Sequence, residues 1–307
     1  MKPRSVVGVI AGSIGIVVLM LAGCTETKED VKPDPSGSTG GTVTGEWSCP
    51  KDTKGAKMVL IPVAEGKPYC IDEREAVFGE YKDFIDEKGN DFGSQPSECK
   101  WNKDYGPVSV IDESHRGDDM PEIHCGPTLA EANPDRAVGC LDFCDAYAYC
   151  SWAGKRLCGL RGGQSGKVNV IDAQYTYESA SRAGDLAGSV ESEWFNICSQ
   201  GGTTVFPYGN EAEPGRCVDH VKTEAEGEDA RCVRDTANSQ CRGAEAPYDQ
   251  VHNMSGSEGQ WVNICVYEVC VFQAADADQD YSCKGTRGTA DMRRALAGVR
   301  CCADAVQ

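Results

Sequence analysis

Of the 18 cysteines in this chain of 307 residues, all but Cys24 fall between Cys49 and the adjacent pair Cys301 and Cys302. No other feature constrains the fold so strongly, because each oxidised pair holds two Cα atoms within about 4.4–6.8 Å of each other. Pairs of this kind persist in an oxidising compartment, so most of these cysteines are expected to be structural disulfides of an exported protein. Seventeen is an odd number, which leaves at least one thiol free or bonded to another chain. Which cysteine joins which cannot be deduced from spacing. C-x-x-C occurs nowhere, which argues against a zinc ribbon and against a thioredoxin-like site.

The N-terminus agrees with export. Lys2 and Arg4 precede the apolar run "VVGVIAGSIGIVVLMLA", which closes as "LAGC" at Cys24. The pattern matches the lipobox of bacterial lipoproteins, and we prefer it to an ordinary secretory signal or to a membrane span, which the run nearly satisfies. Residues 1–24 are therefore expected to be a signal peptide, with Cys24 as the lipid attachment site. Two or more acyl chains would anchor it stably, at about 0.8 kcal/mol per buried methylene. Thr25, in place of the aspartate associated with inner-membrane retention, favours the outer membrane of the cell envelope. Residues 25–46, "TETKEDVKPDPSGSTGGTVTGE", are too polar to repay ordering and read as a flexible tether with a reach of about 25–30 Å.

The net charge of -18 excludes sequence-independent binding to nucleic acid, which needs cationic side chains to displace counterions. A cationic partner or plain solubility fits better. Hydrophobic residues make up 40% of the chain, enough for a real core.

Along the globular part, Met58 to Val63 and Tyr69 to Ile71 read as strands. Val77, Phe78, Tyr81, Phe84 and Ile85 share one helical face that stops at Gly89. Phe143, Ala146, Tyr147, Cys150 and Ala153 share another, which stops at Gly154. Cys144 and Cys150 point to different faces of that helix and should have different partners. Residues 159–191 read as a polar insertion and Glu191 to Cys198 as a third helix. "QWVNICVYEVCVFQ" is the clearest extended segment. Short elements and long loops predict an α+β domain with irregular connections.

Familiar catalytic signatures are missing. "RGGQSGKV" is one residue short of a phosphate loop and has Val168 where a magnesium-holding hydroxyl belongs. His115, His124, His220 and His252 form no HExxH pair, and most read as surface or loop residues; His124 alone has a cysteine neighbour, Cys125, read as chance adjacency.

The segments "MVLIP" with "YCIDEREAVFGEYKDFID", "GCLDFCDAYAYCSWAGKRL", "SEWFNICSQGGTTVFPYGNE", "NMSGSEGQWV" and "GVRCCAD" resemble, in order, landmarks of the formylglycine-generating enzyme, or sulfatase-modifying factor, family. The resemblance spans about residues 56–304. It implies a single loop-rich, disulfide-rich α+β domain related to C-type lectins, over residues 47–307. Trp152, Trp194, Tyr208 and Trp261 are expected to be core aromatics, and Lys155 and Arg156 to tie a helix end to carboxylates.

The resemblance also implies where catalysis would sit. Enzymes of this family hold copper(I) between two cysteines spaced CxxxxC and oxidise a substrate cysteine to formylglycine; soft thiolates suit that metal. Counting back from Cys283, those positions fall near Gln273 and Asp278, so the pair is expected to be missing and no catalytic residue is assigned. Cys265 and Cys270 have the right spacing but the wrong place, and five residues apart in one extended strand they would face opposite ways. They are read as structural disulfides ahead of copper ligands.

The family's calcium positions carry Ser257, Gln260 and Val218 instead of the expected ligands. Asp276, Asp278 and Asp280 look like the start of a calcium loop. Tyr281 takes the obligatory glycine position and Arg287 the bidentate glutamate, so a solvated acidic loop is expected. No cofactor is expected; copper and calcium are the minority readings. The expected role is a binding or structural module at the envelope, with the membrane as partner through the lipid and an envelope protein or glycan as ligand. The alternatives are a copper-dependent formylglycine-generating oxidase and a carbohydrate or peptide binder, the latter on fold analogy alone.

Overall fold

A computed structural model describes residues 46–107, 110–111, 123–124, 132–162, 167–213, 216–217, 240–255, 259–273, 282–284, 287–293 and 297–307. Chain order begins with the strands β1 (Met58–Ile61) and β2 (Tyr69–Asp72) and the helix α1 (Phe78–Lys88). A small ladder, β3 (Val110–Ile111) with β4 (Ile123–His124), precedes helix α2 (Phe143–Trp152) and strand β5 (Arg156–Leu157). Strand β6 (Val170–Asp172), helix α3 (Tyr177–Ala187) and helix α4 (Glu193–Cys198) follow. The chain closes with β7 (Gln260–Val266), β8 (Val269–Gln273), β9 (Arg287–Asp291) and β10 (Cys301–Asp304).

Two four-stranded sheets result, in the orders β1-β2-β10-β5 and β6-β7-β8-β9. The first is antiparallel throughout. In the second, β6 runs parallel to β7 and the other pairs are antiparallel. The described residues belong to the compact unit Gly45–Gln307.

Strand periodicity explains how the layers meet. Along β7, Val262, Ile264 and Val266 face one apolar cluster with Ile61, Ile71, Phe195 and Val271. Trp261 and Cys265 face the other, where α1 and α2 contribute Tyr81, Phe84, Phe143 and Tyr149. Successive strand residues point to opposite faces, so β7 is buried along its whole length, as its run of apolar residues requires. Trp261 is 0% exposed, with its ring 6.0 Å from that of Phe143 in an edge arrangement and its Nε1 donating to the Leu141 carbonyl at 2.8 Å.

Cys301 and Cys302 use the same alternation. Cys301 lies in the helix-side cluster and bonds Cys150; Cys302 lies in the cluster between the sheets and bonds Cys158. Further disulfides join Cys49 to Cys70, Cys99 to Cys144, Cys198 to Cys283, Cys217 to Cys241 and Cys265 to Cys270. Cys140 is also disulfide-bonded. Cys144 and Cys150 thus do have different partners, as their places on α2 demand.

The strands expected at Met58 to Val63 and Tyr69 to Ile71 and the three expected helices form within a residue or two of their expected ends. Gly89 ends α1 with a φ of 51°, a left-handed value that glycine adopts without a Cβ clash. Two expectations need correction. Residues 159–191 are more than a polar insertion, since they contain β6 and α3, and α3 packs on the second sheet. Its buried face is Ser179, Ala183 and Ala187, small residues that give almost no apolar signal. The second correction concerns Trp152 and Tyr208, which are half-buried. Trp152 packs at the core's edge and donates Nε1 to Glu87, while Tyr208 stacks on Phe206 beneath Arg216.

Candidate functional site

The extended segment around Cys265 is two strands and a turn. The chain reverses at Tyr267 and Glu268, whose flanking residues Val266 and Val269 pair, and Cys265 then lies directly opposite Cys270. Tyr267 takes a φ of 52° at the turn, the sign a two-residue hairpin loop favours. The two cysteines are therefore cross-strand neighbours, not residues on opposite faces of one strand. Their Cα atoms are 4.0 Å apart, both side chains are fully buried, and the sulfurs are bonded to each other. A disulfide offers no thiolate, so this pair in its oxidised form does not fit copper(I).

Gln273 ends β8 beneath the C-terminus of α3. It is 1% exposed, and its Nε2 donates to the Ala187 carbonyl at 2.8 Å. Where the family resemblance implies a copper thiolate there is thus an amide, used to tie α3 to the sheet. Asp276, Asp278 and Asp280 lie outside the described residues, as do Cys24, the tether up to residue 45, Val218 and Ser257.

Gln260, at the family's calcium glutamate, is buried as well. Its Oε1 accepts from Trp194 Nε1 at 2.8 Å and from Arg300 Nε at 3.0 Å, and its Nε2 donates to Glu75 Oε1 at 3.0 Å. Both ends of the amide are spent inside the protein, which does not fit a calcium ligand. Among the described residues no group of three or more His, Cys, Asp or Glu side chains could hold a metal.

The charged residues of "GKRL" and "GVRC" build a buried ionic layer. Lys155 Nζ reaches Asp72 Oδ1 at 2.5 Å and the Ala56 carbonyl at 2.7 Å, with both charged side chains almost wholly enclosed. Asp72 Oδ2 accepts from the Cys301 amide at 3.1 Å. Burial nevertheless pushes the Asp72 carboxyl up to about 6. Arg156 binds both oxygens of Glu193 at 2.6 Å and also Asp304 at 2.8 Å. Arg300, fully buried, donates to the carbonyls of Asp72 at 2.9 Å and His252 at 2.6 Å. The sequence marked Lys155 and Arg156 as carboxylate partners. It carried no sign that Asp72, 83 residues upstream of Lys155, would be one of them. The layer joins β2, β5, β10 and α4.

A second buried acidic pair caps α2. Asp142 Oδ1 accepts from the Asp145 amide at 2.8 Å, and Asn102 Nδ2 donates to Asp145 Oδ1 at 2.8 Å, with Asp104 nearby. Burial pushes Asp142 up to about 7 and raises Asp145 as well, the neighbouring carboxyl adding to the rise in Asp145. An acid raised above its unfolded value near 4 holds its proton more tightly in the folded chain. That stabilisation is full below about pH 4 and is lost as the pH climbs through 7. Asp142→Asn keeps the capping oxygen without the charge. In urea melts the variant should match the parent near pH 4 and exceed it by about 1–2 kcal/mol at pH 8.

The described surface also carries a cleft of about 380 Å³. Its walls are the turn 188–190 after α3, Phe195 of α4, the loop 202–205, Asn210 and Lys284. Gly202 makes that loop fit: its φ is 86°, and a Cβ there would approach Val190 Cγ1 to 2.8 Å. The Cys198–Cys283 disulfide and the bond from the Cys283 amide to the Val205 carbonyl at 2.8 Å hold Lys284 beside it. The volume falls within the range of small-molecule sites. Sequence analysis missed it because no single segment contributes more than one wall.

No protein-family model matches the chain, and no curated protein matches it. Among solved structures the chain is similar to PvdO from Pseudomonas aeruginosa, at 14% identity over 81% of this chain and 91% of that one, with a TM-score of 0.38. It is also similar to CarF, at 10% identity over 82% of this chain and 96% of that one, with a TM-score of 0.42.

Proposed function

We propose that this chain is an exported, lipid-anchored protein of a bacterial cell envelope, whose domain has the architecture of the formylglycine-generating enzymes and acts as a binding module rather than an oxidase. Support for the architecture is the ordered run of sequence landmarks. Support for export and anchoring is the "LAGC" segment ending at Cys24, the tether, and a cysteine content that suits an oxidising compartment.

The observation that carries the non-catalytic reading is Gln273. A side chain enclosed under α3 and bonded to a backbone carbonyl stands at the implied copper position. Cys265 and Cys270, the other candidates, are consumed in a disulfide. Its partners would be the membrane, through the lipid on Cys24, and an envelope protein or glycan. Thr25 favours the outer membrane.

Thiol titration of the unreduced full chain should find at most one reactive cysteine. Incubation with copper(I), dioxygen and a Cys-x-Pro-x-Arg peptide should leave that peptide unchanged by mass. Two reactive thiols together with conversion of the peptide would reject the reading. Mass spectrometry of the intact protein from membranes should show an acylated N-terminus at Cys24, and an unprocessed chain beginning at Met1 would reject the anchor.

A further inference from the structure

We propose that the cleft beside α4 binds a small organic molecule through an oxyanion group, a carboxylate or a phosphate. The proposal deepens the binding-module reading and rests on it.

The lining decides the sign of the ligand. Acidic residues outnumber basic ones 48 to 30 in this chain, yet none of the described residues that line the cleft is acidic. Among those residues the charged group is the Lys284 ammonium, which is exposed, lies 5.9 Å from the Phe195 ring and makes no ion pair among the described residues. Asn210 is oriented by accepting the Val205 amide on its Oδ1 at 3.0 Å, which leaves Nδ2 as the free end, a donor. Thr204 carries a buried hydroxyl with no partner among the described residues, so a change of χ1 could turn it to the cleft as a further donor without breaking a bond to any of them. Cation and donors without a carboxylate match an oxyanion, while Phe195, Val190 and Val205 supply apolar wall for the rest of the ligand.

The walls are fixed before any ligand arrives. The Cys198–Cys283 disulfide binds the Lys284 segment to α4, and Gly202 seats its loop against Val190. A preorganised site loses less ordering entropy on binding. A neutral sugar would lack a partner for Lys284 and would find no carboxylate among the described lining residues to accept its hydroxyls, so it should bind far more weakly.

Calorimetric titration of the full chain tests this with glucuronate, glucose 6-phosphate, neutral glucose and inorganic phosphate. Whichever of the two sugar anions binds, it should do so at least about tenfold more tightly than glucose, and more tightly than inorganic phosphate. Comparing glucuronate with glucose 6-phosphate separates carboxylate from phosphate. Lys284→Gln should weaken binding about tenfold or more and flatten its salt dependence, and Thr204→Val should weaken it about threefold or more. Both positions lie outside the core, and circular dichroism with thiol counting verifies the fold of each variant. Three results would each overturn the proposal: no heat from either sugar anion at millimolar concentration, glucose or inorganic phosphate bound as tightly as the anions, or Lys284→Gln without effect. A silent cleft leaves the thiol and peptide assays as they were. An active oxidase would reject the binding module even if the cleft binds its anion.

Discussion

Replacing Cys150 and Cys301 together by alanine, or Cys158 and Cys302 together, should cost about 2.5–3 kcal/mol each, whereas replacing all four should cost about 7 kcal/mol. The two disulfides close nearly the same loop, with sequence separations of 151 and 144. The Cys198–Cys283 bridge already shortcuts that loop to about 70 residues, so either one alone removes about 4.4 kcal/mol of chain entropy. With that loop already closed, the second adds only a ring of about ten residues, about 2.5 kcal/mol. Each single loss removes the small increment and the joint loss removes both. Urea unfolding at neutral pH measures all three variants. Strict additivity would show that the bridges act by local packing and not through the unfolded chain.

Lys155→Met should cost about 3–5 kcal/mol at pH 8, because it leaves the Asp72 carboxylate buried without its counter-ion. Asp72 sits at about 6 with the ammonium present and must move higher without it. The unfolded value is near 4, so the folded state takes up a proton more readily, and the contribution of the neutral acid fades as the pH rises through its folded value. The cost of Lys155→Met should therefore shrink between pH 8 and pH 5. Asp72→Asn in the same chain should restore most of it, since removing both charges of a buried pair is often near neutral. Equal costs at both pH values would mean that Lys155 acts through its packing.

The legible part of the fold is the part with a local signature. The face of Phe78, Tyr81 and Phe84 and that of Phe143, Ala146, Tyr147 and Cys150 mark α1 and α2 without reference to anything distant. Helix α3 escaped because Ser179, Ala183 and Ala187 bury a face through shape and not through hydropathy. The β7–β8 hairpin was read as one strand because its turn, Tyr267–Glu268, contains neither glycine nor asparagine. At the candidate sites, sequence alignment by landmark was enough to put an amide at Gln273, but it could not say that the amide is bound beneath a helix.

What the sequence determined by itself is chemistry and short-range geometry: where helices and strands begin, which residues can be thiolates, and how many cysteines there are to pair. The tertiary structure alone decided the partners: Cys301 with Cys150, Asp72 with Lys155, and Lys284 with a loop some 80 residues earlier across the cleft. Hydrophobic periodicity is a property of a few consecutive turns, whereas a pairing across many residues is selected by the packing of the whole core, and no local pattern encodes it.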